Sequence, residues 1–190
     1  MPAAFLVALA AADATTDYVR RGALRERFAA RPPVTGELRF LAAPFTLPPF
    51  SAADLDGQDV SSSSWRGKVA VVNFWGTWCL PCRREIPALV SLQERFRPEV
   101  VVIGVLDDGA SDGFVRAFSA SLRVNYPIVR TSEEIERSFS PVLVFPTTYL
   151  IDRAGRVVSV HVGEIDPDLV ERELQALVKG SAEAPGALIR

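Results

Sequence analysis

Cysteine is scarce in this chain: of 190 residues only Cys79 and Cys82 are cysteines. A secreted scaffold held by disulfides scatters an even set along its length. Here the whole thiol inventory sits at one point, which favours a working pair over a staple. His161 and Met1 are the sole histidine and methionine. Four-coordinate zinc needs four good ligands, so Cys79, Cys82 and His161 fall short. A copper site would want a histidine or methionine beside the cysteines, and the motif contains neither. The formal net charge is only −2, which gives no whole-chain attraction for nucleic acid or anionic lipid. No internal repeat is visible. The length fits one domain plus an extension, and a chain of this size buries roughly 70% of its unfolded surface, so the core needs no staples.

Residues 1–42 differ from the rest and read as an N-terminal extension. The alanine-rich apolar run from Pro2 to Ala12 is shorter than the about 20 residues that span a bilayer. Two readings stay open. It is the apolar part of a signal peptide or an anchor remnant, with Ala10-Ala11-Ala12 suited to cleavage, or it is an ordinary alanine-rich helix. No Lys or Arg precedes it, and Arg20 and Arg21 follow it, the wrong side for export. Arginines 20, 21, 25, 27 and 31, with Leu24 and Phe28 spaced i, i+4 among them, read as a short solvated helix or linker ended by Pro32 and Pro33.

From residue 43 to 180 the pattern is compact, with 181–190 left as a tail. Asp56-Gly57 is a turn signal between short extended pieces. The apolar, β-branched and aromatic stretch Val69 to Trp75 predicts a buried strand, and so does Val100 to Leu106. Between them, Leu80 to Phe96 predicts a helix with Ile86, Leu89, Val90 and Phe96 near one face; Pro87 is expected to kink it. This is a βαβ unit, which requires a parallel pair. A helix is predicted over Ser111 to Leu122, a strand near Pro127 to Val129, and a short helix over Glu133 to Phe139. Thr147 to Asp152 and Val157 to Val162 predict a hairpin. A last helix starts at Pro167, with Asp166 as its cap and Gly180 beyond its end. The order describes an α/β domain, a central sheet with helices on both faces.

The chemistry sits at the strand-to-helix turn. Cys82 lies one helical turn beyond Cys79, so the two sulfurs face the same way and can bond. Unpaired N–H groups and partial positive charge at the helix start stabilise a thiolate at Cys79 more than at Cys82. Cys79 is therefore the nucleophile and Cys82 the resolving thiol. Pro81 stiffens the turn where a missing N–H is tolerated. An inert buried pair and a purely structural disulfide compete with this reading. The first fits poorly at such a turn, and the second gains little from so short a loop.

Asn73-Phe74-Trp75-Gly76-Thr77-Trp78-Cys79-Leu80-Pro81-Cys82-Arg83-Arg84-Glu85-Ile86-Pro87 resembles the active-site segment of the TlpA/ResA-like thioredoxin family. Phe145 to Asp152 with Ala154 to Val158 resembles its second signature. Ala43 to Leu47 and Trp65 to Val69 resemble its entry hairpin. The resemblance implies a thioredoxin-like fold: a mixed β-sheet flanked by helices, with an N-terminal hairpin and an inserted helix and strand. It implies a thiol-disulfide oxidoreductase whose only redox group is the Cys79–Cys82 disulfide, with no cofactor or metal. Its partners would be protein thiols and disulfides and a membrane electron donor. It also implies an extracytoplasmic place, against a cytoplasmic alternative, and in some relatives a role in cytochrome c assembly. A monomer, with membrane association through the N-terminal extension, completes that expectation.

The same resemblance makes Trp78, Leu80, Pro81, Phe145 and Pro146 the residues shaping the substrate site, with Pro146 a cis-proline. From the residues alone Pro146 reads as an ordinary trans proline opening an edge strand. An acid near the end of the preceding strand tunes the cysteines in some relatives, and Asp107 and Asp108 fall there; they read equally as solvated loop acids. Asn73 stands where classical thioredoxins carry a buried aspartate, so proton transfer falls to water, Asp107, Asp108 or Glu85. Glu85 is expected to be exposed on the helix, and His161 to be a structural or surface residue. Two rival functions are a thiol peroxidase, which Trp78 before Cys79 disfavours, and a thioredoxin-like binding module that needs no thiols.

Overall fold

The parallel pair organises the molecule. The computed structural model describes residues 37–139 and 142–180; the apolar run, the arginine-rich segment and the tail lie outside them. Val69–Trp75, buried at every position, forms strand β4, and Val100–Leu106 forms β5. They pair in parallel from Val69 opposite Val100 to Trp75 opposite Leu106. Helix α1, Leu80–Arg95, makes the crossover and runs through Pro87 as one element. Before this unit come β1 (Glu37–Thr46), β2 (Ser51–Ala53) and β3 (Asp59–Ser61). After it come α2 (Asp112–Ser121), β6 (Ile128–Arg130), α3 (Glu133–Phe139), β7 (Thr147–Ile151), β8 (Arg156–Val162) and α4 (Pro167–Val178). The six-stranded sheet has the order β1-β8-β7-β4-β5-β6, parallel at β4-β5-β6 and antiparallel elsewhere. This is the thioredoxin-like α/β architecture, with α2 and β6 as the inserted helix and strand.

The Asp56-Gly57 turn closes a separate hairpin of β2 and β3, with Gly57 at φ +80°, a region where only glycine is free of steric cost. Pro44 to Thr46 belongs instead to edge strand β1, where Phe45 and Thr46 pair with Val157 and Arg156 of β8. The last helix starts as its sequence demands: the Asp166 side chain accepts from the N–H groups of Asp168 and Leu169.

Alternation along β4 assigns its faces. Val69 and Val71 pack against Leu89 and Leu92 of α1 and Val170 and Leu174 of α4. Ala70, Val72 and Phe74 pack on the other face, against Ile135 and Phe139 of α3 and against Phe50 and Trp65, which flank the hairpin. That second face is aromatic: Phe139 meets Phe74, Tyr149 and Phe50 edge-on at ring-centroid distances of 5.2, 5.0 and 5.7 Å. Such pairs add to simple area burial. Phe139→Ala is expected to cost about 3–5 kcal/mol of unfolding free energy, read as a lower urea midpoint at unchanged slope.

Candidate active site

Strand β4 ends on Trp75, and after three intervening residues Cys79 leads the backbone into α1. Cys79 is the cap: its backbone is extended (φ −83°, ψ 106°), and its sulfur accepts the N–H of Cys82 at 3.2 Å. Pro81 falls in the first turn, where its missing donor costs nothing. Cys79 and Cys82 form a disulfide with Cα atoms 5.3 Å apart. Cys79 keeps 4% exposure and Cys82 none. The helix N-terminus directs an N–H at the Cys79 sulfur, where a thiolate would gain most from it.

Trp78 and Leu80, on either side of Cys79, are 64% and 60% exposed. The ring of Phe145 meets Trp78 edge-on at 5.6 Å and packs against the cluster that contains both cysteines. The Phe145–Pro146 bond is cis, as the resemblance implied and as the residues alone did not, and the carbonyl of Pro146 accepts the N–H of Gly163. Exposed Leu143 lies two residues before Phe145. On the far side Phe118 of α2 stacks on Trp75 at 6.0 Å, and the Arg83 guanidinium lies 5.4 Å above the Phe118 ring. The disulfide thus sits in an apolar surround.

The three candidate acids part company. Asp107 is exposed, its backbone N–H bonded to the carbonyl of Trp75. Asp108 pins the active-site loop: its Oδ2 accepts from the N–H and hydroxyl of Thr77 at 2.7 and 2.5 Å, and its Oδ1 from the N–H of Ala110 at 2.6 Å. Burial would raise its pKa, but those hydrogen bonds and the Arg130 charge outweigh it and hold the carboxyl below its ordinary range. Neither acid has a hydrogen bond to a cysteine among those of the described residues.

Glu85 overturns the expectation of exposure: it is 2% exposed. It lies on the α1 stripe that carries Cys82, Ile86 and Leu89, and that stripe covers the sheet. Its Oε1 accepts from Asn73 Nδ2 at 2.7 Å and its Oε2 from the N–H of Ile165 at 3.0 Å. Burial raises its pKa from 4.5 to about 7; the hydrogen bonds from Ile165 and Asn73 oppose the rise, and the Glu164 charge adds to it. Asn73 Nδ2 also donates to Thr148 Oγ1 at 3.0 Å. Thr148 was missed because nothing in the sequence marks it; only the register, Asn73 opposite Thr148, brings it in. His161 is structural, and it is buried rather than at the surface. Its Nε2 lies 2.7 Å from Glu173 Oε2 and 3.3 Å from Ser159 Oγ.

The family profile described as AhpC/TSA matches residues 44–160. The thioredoxin-like protein YneN of Bacillus subtilis is 35% identical over 129 residues, 67% of this chain and 75% of that protein. The thiol-disulfide oxidoreductase ResA of Geobacillus kaustophilus is 33% identical over 132 residues, 70% of this chain and 76% of that protein. Among solved structures, a secreted thiol-disulfide isomerase from Corynebacterium glutamicum superposes with a TM-score of 0.71 at 25% identity, covering 79% of this chain and 96% of the other. The chain belongs to the AhpC/TSA family and, within it, to the TlpA/ResA-like branch of thioredoxin-fold thiol-disulfide oxidoreductases. It is an enzyme of that class, and its redox group is the Cys79–Cys82 disulfide. No cluster of three or more potential metal-ligating side chains occurs among the described residues.

The buried acid makes stability depend on pH. Glu85 holds its proton to about pH 7 in the folded chain, against an ordinary 4.5. A group that binds its proton more tightly when folded stabilises the fold fully below the unfolded value, and that contribution is lost as pH rises through the folded one. Urea denaturation is expected to show wild type losing about 3 kcal/mol between pH 4.5 and pH 8 relative to Glu85→Gln.

Proposed function

We propose that this protein reduces disulfides of protein substrates outside the cytoplasm, with Cys79 as nucleophile, Cys82 as resolving thiol and Glu85 as proton acceptor. The observation that carries the reading is a disulfide capping a helix whose next inward-facing acid is buried beneath it. In the reduced enzyme the Cys79 thiolate attacks a substrate disulfide. One substrate sulfur leaves as a thiolate, and the other stays in a mixed disulfide with Cys79. Cys82 then gives its proton to Glu85 and attacks the Cys79 sulfur. The second substrate thiolate leaves, the Cys79–Cys82 disulfide re-forms, and two electrons have passed to the substrate.

Among the candidate acids we assign the relay to Glu85. It sits three residues after Cys82 on the same helical stripe, and its proton affinity near neutrality suits uptake and return. Asp108, held ionised by its donors, shapes the loop, and exposed Asp107 has no part. Trp78, Leu80, Pro81, Phe145 and Pro146 form the face that receives an extended, apolar substrate segment. We take residues 43–180 as the catalytic domain, 1–42 as an extension that also supplies the first residues of β1, and 181–190 as a tail. The extension would serve export or membrane association. A membrane donor would re-reduce the disulfide, and the protein would act as a monomer. Cytochrome c assembly is one process in which such a reductant would serve. The likeness to ResA and to a secreted isomerase supports the extracytoplasmic place. No observation favours the thiol peroxidase or the thiol-independent binding module.

The test is reduction of a model protein disulfide by the pre-reduced protein. Wild type is expected to react and Cys79→Ser to lose at least a hundredfold in rate. Cys82→Ser is expected to accumulate a mixed disulfide at Cys79, which also captures the natural partner in cells. Wild type reacting no faster than Cys79→Ser overturns the proposal.

A further inference from the structure

One polar atom beside Glu85 has no partner: Oδ1 of Asn73 is buried without a hydrogen bond, while Nδ2 of the same amide donates twice. Buried polar atoms are almost always paired, so an orphan in contact with a working acid calls for a cause. We propose that Asn73 is a positioning residue whose carboxamide turns over when Glu85 takes up a proton, donating to the carboxylate in one state and accepting from the acid in the other. The proposal rests on Glu85 being the proton acceptor.

The geometry makes the turn follow from the proton. Each Glu85 oxygen already faces a donor, Asn73 Nδ2 at Oε1 and the Ile165 N–H at Oε2. A carboxylate accepts both. A protonated carboxyl carries its O–H on one of the two oxygens, and an O–H on Oε1 directed at Asn73 would meet the Nδ2 donor. The Ile165 N–H is main chain and cannot reverse. The Asn73 side chain can, because an amide presents a donor and an acceptor on the same planar group. After the turn, Oδ1 accepts from Glu85 Oε1–H and from the hydroxyl of Thr148, which rotates to suit. The acceptor gains two partners, and Nδ2 moves to the unpartnered position that Oδ1 leaves, so the turn is driven by the Glu85 proton and one amide atom stays unpaired in either state. Loss of the proton from Glu85 reverses the cycle, so the amide supports whichever protonation state is present. Aspartate at this place has no donor for a carboxylate, and an apolar residue has neither function.

The other groups around Glu85 do not offer this service. The Glu164 carboxylate disfavours the Glu85 anion and is itself engaged by Arg84 at 2.6 Å. The Tyr126 hydroxyl feels the Glu85 charge but stays neutral, its pKa raised chiefly by burial. Cys82, on the same helix, supplies the proton. His161, opposite Thr148 in register, is closed onto Glu173 and Ser159.

The experiment follows the Asn73 side-chain amide by NMR between pH 5 and 9 in the oxidised wild type and in Glu85→Gln, with the Glu85 carboxyl carbon as the titration marker. At high pH the Nδ2 protons are expected to show cross-peaks to Thr148, and these should disappear with the midpoint of the Glu85 carboxyl. In Glu85→Gln the new side chain donates from its amide at every pH, so the turned state should be present throughout. Asn73→Leu, which can reverse nothing, is expected to slow the resolution of a mixed disulfide by Cys82 at least tenfold at pH 7. A Glu85 carboxyl that does not titrate in this range removes the proton-acceptor reading. The glutamine variant still decides the turn: Thr148 cross-peaks retained there overturn it, as do resolution rates in Asn73→Leu equal to wild type.

Discussion

Everything at the site depends on one constraint: a parallel strand pair can be joined only by a crossover, and the crossover helix must begin where the first strand ends. The pairing of β4 with β5 therefore places the first turn of α1 at the C-terminal edge of the sheet. A helix start leaves N–H groups without partners, and here the Cys79 sulfur takes one of them. The redox group and the helix cap are the same atom. Reduction does not remove the cap; it turns a disulfide sulfur into a thiolate that accepts more strongly.

The second consequence of the crossover is the burial of Glu85. Helical spacing that puts Cys82 against the sheet puts the residue three positions later there too. Burying a carboxyl is costly unless it is bonded, and two neutral donors meet it. Asparagine at position 73 then has a physical reason. A second carboxylate 2.7 Å away would repel the first and force one of the pair to stay protonated. An amide at that distance supports the charge without competing for the proton. The acid has moved from the strand to the helix, and the strand keeps the partner.

Much of the fold was legible because its signals are local and periodic. Val69 to Trp75, Val100 to Leu106 and Glu133 to Phe139 read directly as the elements they form, since a fully buried strand needs a continuous apolar run and a cap needs a particular residue. The cysteine pair was legible for the opposite reason: nothing else in the chain offers thiol chemistry. What escaped depends on register and on which side of a helix meets the sheet. A glutamate after two arginines looks like a solvated face. Its neighbours Arg83 and Arg84 are indeed exposed, and only the angle of one residue around the helix separates them from Glu85. Thr148 belongs to the site through a partner 75 positions away, and no local pattern encodes that. The cis bond at Pro146 came from family resemblance, because one proline has no local mark of its isomer.

Strand β4 divides labour between its faces. Its even positions, Ala70, Val72 and Phe74, enter an apolar and largely aromatic layer with α3 and the hairpin. Its odd positions begin as core at Val69 and Val71 and end at Asn73, bonded to Glu85, and Trp75, packed with the two cysteines. On β4 itself the one polar side chain, Asn73, lies on the α1 face near the end where the helix starts. On the same face, the Ser159, His161 and Glu173 cluster closes its own hydrogen bonds on β8 and α4. Self-satisfied networks keep a buried polar group from being strained. Separating the two networks leaves the Asn73 amide, the partner of Glu85, with an unspent acceptor. The aromatic layer includes one titrating side chain, Tyr149, whose pKa burial raises, keeping it neutral. Protonation of Glu85 would therefore take place away from the layer that holds α3 and the hairpin to the sheet.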